Sequence, residues 1–132
     1  MNSLKKHLTS LIAPSNFRWT IILLVSSALL IIGSQIIGIT DNLPGIAMLF
    51  TGTILLFFSL LHPWRQTINY IILAAVSLGI TVLIFLGIFI LSSLHLDKYI
   101  SEAFVMITIF LFCLPGLVVG IIGILLCAKK KK

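Results

Sequence analysis

Four apolar runs separated by short polar clusters set the pattern of this chain: Trp19 to Ile39, Gly45 to Leu61, Tyr70 to Leu91 and Ala103 to Ala128. None of them contains a formally charged side chain. At about 1.5 Å per helical residue, the first, third and fourth each cross a hydrocarbon core of roughly 30 Å. The second is short, and approaches that length when Pro44 and His62 are counted in. The pattern predicts an all-α integral membrane protein with four transmembrane helices.

The connections fix how these helices follow one another. Between the first two runs lie Thr40, Asp41, Asn42, Leu43 and Pro44. Asp41 and Asn42 suit a helix cap, and Pro44 suits a first helical turn, where a missing amide proton costs nothing. A connection this short makes its two helices antiparallel. The middle connection, His62 to Asn69, carries Pro63 to stop a helix and the pair Trp64 and Arg65 to anchor at headgroup level. The longest connection, Ser92 to Glu102, carries Asp97, Lys98 and Glu102 at no spacing of a calcium or zinc site, and reads as a solvated face. The expected fold is therefore two antiparallel helical hairpins over 19–128, preceded by an arm, 1–18, and followed by a basic tail, 129–132.

The arm is too polar to span. Leu4, Leu8, Leu11 and Ile12 recur at helical spacing, with Lys5, Lys6 and His7 supplying a polar side. Two readings fit it: a short interfacial helix ended near Pro14, or a frayed polar arm. The first span is expected to be retained, because it is as long as a full crossing and no clear small-residue cleavage site follows it.

Composition supports lipid as the solvent. Of 132 residues, 60% are hydrophobic and 9% charged, whereas soluble domains carry about 25% charged residues. A small soluble fold keeps too much area exposed to hide so much apolar surface. The net charge of +6 lies beside the spans, where it attracts anionic headgroups and sets orientation. It carries none of the interleaved aromatics that stack bases, so no nucleic-acid partner is expected. Lys5, Lys6, Arg18, Arg65 and the tail Lys129 to Lys132 fall on one side of a four-crossing topology, while Asp41, Asp97 and Glu102 fall on the other with Lys98. Both termini are accordingly expected in the cytoplasm of a multi-pass protein. A bacterial plasma membrane is the expected location. In a eukaryote, Lys129 and Lys130 would match a dilysine signal for the endoplasmic reticulum.

Within the spans, small and polar residues mark candidate contacts. Gly33, Gly52, Gly79, Gly120 and Gly123 are expected to let helices approach closely, and Gln35 to hydrogen-bond between helices. Trp19, Trp64 and Arg65 are the expected interface anchors. Pro115 removes a backbone bond inside the last span and is expected to kink it. Leu43, Pro44, Gly45 and Gly52 are echoed at one constant offset by Leu114, Pro115, Gly116 and Gly123, as related hairpins would produce. Cys113 and Cys127 lie about 21 Å apart along one helix, too far to bridge within it, and no C-x-x-C motif is present.

No catalytic, cofactor or metal residues are expected. Serine, histidine and carboxylate are scattered without nucleophile spacing, and no phosphate-cradling loop follows a strand. All three acids lie outside the spans or at their rims, which argues against a proton-coupled carrier. Besides the lipid bilayer, the expected partner is another membrane protein or a second copy of the chain. The chain reads as a structural or accessory subunit of a larger membrane complex, the alternative being a self-assembling, holin-like pore.

Overall fold

A computed structural model describes residues 2–95, 98 and 102–130, apart from the side chains of residues 102–104. Asp97, the Glu102 side chain, Lys131 and Lys132 lie outside the described residues. The described chain is all-α. It runs α1 (Asn2–Ile12), α2 (Pro14–Ile37), α3 (Leu43–Leu61), α4 (Thr67–Ser93), α5 (Glu102–Thr108), a π turn (Ile109–Cys113) and α6 (Leu114–Lys129). Four helical stretches are long and apolar enough to cross a membrane: Pro14–Ile37, Leu43–Leu61, Thr67–Ser93 and Val105–Lys129.

The chain forms two compact units, Met1–Gln66 and Thr67–Lys132. In the first, α2 packs along α3 and α1 rests on α2. In the second, α4 packs along α6 and also meets the π turn. Large apolar side chains are mostly turned outward, as Leu29, Ile36, Leu83 and Phe89 show. Most buried side chains are small or polar, namely Ser27, Ser34, Thr53, Ser59 and Ser77 beside Cys113, Val119 and Tyr70, with Leu11 buried as well. That inversion of a water-soluble core is what lipid-solvated helices produce, because burying leucine against leucine gains little when the surroundings are equally apolar.

Local chemistry explains the helix boundaries. Pro14 occupies the first turn of α2 rather than only ending α1, so the long helix starts ahead of Trp19. Gly38 closes α2 at φ 90°, a left-handed value that glycine adopts without a Cβ penalty. Asn42 then precedes α3 in an extended conformation, with Pro44 in the first turn. In the last span the chain widens to a π turn directly ahead of Pro115, and the Leu114 amide bonds back to the Ile109 carbonyl, five residues away. Proline cannot donate to the preceding turn, and a π turn is one of the ways a helix accommodates that loss.

Candidate functional site

The inner faces of both units are built from small residues. In the first, the Ser27 hydroxyl donates to the Gly52 carbonyl across α2 and α3 at 2.8 Å. A Cβ on Gly52 would lie 2.8 Å from Ile31 Cγ1 and 3.2 Å from the Ile31 backbone nitrogen. One on Gly33 would meet Met48 Cε at 2.6 Å. In the second, a Cβ on Gly120 would lie 2.8 Å from Ala74 Cβ and 3.0 Å from the Tyr70 carbonyl oxygen, and one on Gly123 would collide with the Tyr70 ring. Such approaches bring helix backbones together where side-chain size would otherwise hold them apart.

The repeated Leu-Pro-Gly motif puts its glycine at a close approach in each unit, against different kinds of partner. Gly45 sits against the Gly38 carbonyl and Gly116 against the Ser77 hydroxyl, each at a point that a Cβ would fill. Seven residues on, Gly52 and Gly123 make the further close approaches already described.

Gly79 differs from the other four glycines expected at helix contacts. A Cβ there would meet nothing within 4 Å, and the same holds at Gly87. Ser77, which is buried against Gly116, lies two residues away and hence about 200° round α4. Gly79 therefore faces away from α6. Ala75, four residues before it, is likewise exposed. Ile72, Val76 and Leu83 flank this strip and are about half exposed or more. Within the second unit, α4 thus carries two small-residue faces, one filled by α6 and one that no residue of that unit fills.

The remaining expected residues lie elsewhere. Gln35 is exposed, and its amide donates to Ser34 Oγ on the same helix at 3.5 Å. Trp19 is 63% exposed at the start of α2. Arg65 is exposed beside the half-buried Trp64. Pro115 is fully buried and is the second residue of α6, one position beyond Leu114, which follows the π turn.

Two features escaped the sequence reading. Ser27 is one, an unremarked member of a Ser-Ser pair whose hydroxyl ties α2 to α3. The other is a polar clasp at one end of the first unit. His7 on α1 hydrogen-bonds the Leu60 carbonyl at 2.7 Å, and its ring lies 5.8 Å from that of Trp64. Thr20 Oγ1 contacts the Leu11 carbonyl at 3.2 Å and His62 Nε2 at 3.4 Å, while His62 Nδ1 donates to the Ser59 carbonyl at 3.1 Å. Asn16 Nδ2 donates to the Ser10 carbonyl at 3.0 Å. The side chains that close this clasp are separated by more than forty positions in sequence, which is why no local motif announced it.

Among the described residues, no three histidine, cysteine or acidic side chains are placed to hold a metal ion. No family model, curated protein or solved structure matches the chain.

Proposed function

We propose that the chain is a four-span membrane protein, made of two antiparallel helical hairpins, that serves as an accessory subunit and docks a larger membrane protein through the outer face of α4. Contacts between early α2 and the residue that follows α3, Thr20 with His62, and between the residue that follows α2 and the first turn of α3, Gly38 with Gly45, support the first hairpin. Tyr70 against Gly123 and Ser77 against Gly116 support the second. The charge distribution supports a cytoplasmic side for both termini, with α1 as a helix at the membrane boundary.

The observation that carries the docking role is the contrast among glycines. At Gly33, Gly52, Gly120 and Gly123 the chain's own residues occupy the space beside the glycine, whereas at Gly79 and Gly87 that space is open. In lipid, a strip of missing side chains is a place where another helix can come close, and association gains through backbone proximity and packing.

Purification of the tagged chain from its native membrane in gentle detergent tests this, with mass read by light scattering and composition by mass spectrometry. A defined complex with a second membrane protein is expected for the wild type, and Gly79→Leu is expected to lose that protein while leaving the chain folded. A pure homo-oligomer, or a complex indifferent to Gly79→Leu, would overturn the assignment.

A further inference from the structure

The α1 helix presents an apolar strip that nothing in the first unit covers. At about 100° per residue, His7 and Leu11 share one flank of α1, and Leu4, Leu8 and Ile12 form the next, about 80° round. The first flank is held against the unit: Leu11 is buried at 8% exposure and His7 bonds the Leu60 carbonyl. The second is open, with Leu4 at 67%, Leu8 at 50% and Ile12 at 69% exposure. Lys5 borders this strip, and Lys6 lies on the far side of the helix.

Charge identifies what covers it. The clasp brings α1, the start of α2, the end of α3 and the following connection together, and those segments carry Lys5, Lys6, Arg18 and Arg65. The only carboxylate side chain in residues 2–66 is Asp41, about 30 Å from Arg18 along α2. A surface that is cationic, without a neutralising acid, and apolar on an adjacent flank is complementary to an anionic leaflet: headgroups meet the cations, and acyl chains meet the leucines.

We infer that α1 and the basic end of the first unit form a recognition surface for anionic lipid, with Leu4, Leu8 and Ile12 seated at the boundary between headgroups and acyl chains. The clasp fixes which flank faces the bilayer, so the helix is oriented before it meets lipid. Lys5, at the edge of the strip, reaches back to phosphate along its own aliphatic stem. This inference rests on the four-span reading and adds to it the lipid class that the cytoplasmic end selects.

The test is a spin-label depth measurement on the full chain in nanodiscs of phosphatidylcholine alone or with phosphatidylglycerol. Labels are placed by Leu8→Cys on α1 and, as a control, by Leu24→Cys on the exposed side of α2. Both carry Cys127→Ser, and the buried Cys113 is left in place. Collisions with oxygen report lipid, and collisions with a water-soluble nickel chelate report solvent. The expected result is oxygen-dominated relaxation at position 24 in both discs, and at position 8 a change toward oxygen when phosphatidylglycerol is present. Lys5→Ala with Lys6→Ala should shift that docking equilibrium back by about tenfold or more.

A position 8 that stays nickel-accessible with phosphatidylglycerol, while position 24 stays in lipid, would overturn the inference alone. So would a position 8 shielded from both reagents, the mark of a protein occupant. A nickel-accessible position 24 would overturn the four-span reading itself.

Discussion

Gly120→Ala and Gly79→Ala place the same methyl group in surroundings that differ in one respect. At Gly120 the new carbon would lie 2.8 Å from Ala74 Cβ, 3.0 Å from the Ala74 nitrogen and 3.0 Å from the Tyr70 carbonyl oxygen. Carbon contacts are most favourable at about 3.5–4.0 Å, so α6 must retreat from α4 by roughly half an ångström or more. Two of the three obstacles are backbone atoms, which no rotamer change can remove. Overpacking of this kind costs about 1–3 kcal/mol. At Gly79 there is nothing within 4 Å and no such cost. Both substitutions also gain helix propensity, up to about 1 kcal/mol, and this gain cancels when the two variants are compared. Gly120→Ala should therefore be less stable than Gly79→Ala by about 1–3 kcal/mol, equivalent to roughly 5- to 150-fold in the folding equilibrium. Reversible unfolding of the purified chain in mixed micelles, followed by circular dichroism, measures the difference. Equal stabilities, or a more stable Gly120→Ala, would refute the claim that α6 closes on α4 through this glycine.

Two further substitutions probe the remaining contacts. Ser27→Ala removes the 2.8 Å bond to the Gly52 carbonyl and should cost about 0.6 kcal/mol, with about 1.7 as an upper bound; a cost several times larger in the same micelle assay would mean that the hydroxyl supports more than this one bond. Pro115→Ala restores an amide donor for the preceding turn, and a carbon-13 label on the Leu111 carbonyl should report a new α-type hydrogen bond. An unchanged carbonyl signal would show that the π turn is set by the packing of the buried Cys113 and not by the proline.

The long helices were legible because lipid imposes a crude requirement, length without charge, that a sequence displays openly. Their starts were less so. Pro14 serves both as a stop for α1 and as the first turn of α2, and only the second role carries the helix back from Trp19. The π turn was hidden because Ile109 to Cys113 is as apolar as its surroundings, and widening by one residue leaves no mark on such a run. The glycines posed the deepest difficulty. In water, apolar periodicity separates an inner face from an outer one; in lipid both faces are apolar, and the sequence does not reveal that Gly120 is filled while Gly79 is open. The clasp was invisible for a different reason, since His7 and Leu60 are 53 positions apart in sequence and are brought together by the packing of α1 on α2 and of α2 on α3.

Four crossings with both termini on the cytoplasmic side are the premise of everything proposed above, and sidedness tests that premise most directly. One cysteine introduced at each of the exposed positions Ser3, Asp41, Gln66 and Lys130, with Cys127→Ser and the buried Cys113 left in place, is labelled with a membrane-impermeant maleimide in right-side-out and inside-out vesicles. Asp41→Cys is expected to be labelled only in right-side-out vesicles, and Ser3→Cys, Gln66→Cys and Lys130→Cys only in inside-out ones. Labelling of Asp41→Cys and Gln66→Cys from the same side would show that α3 does not cross, and would contradict the four-span reading.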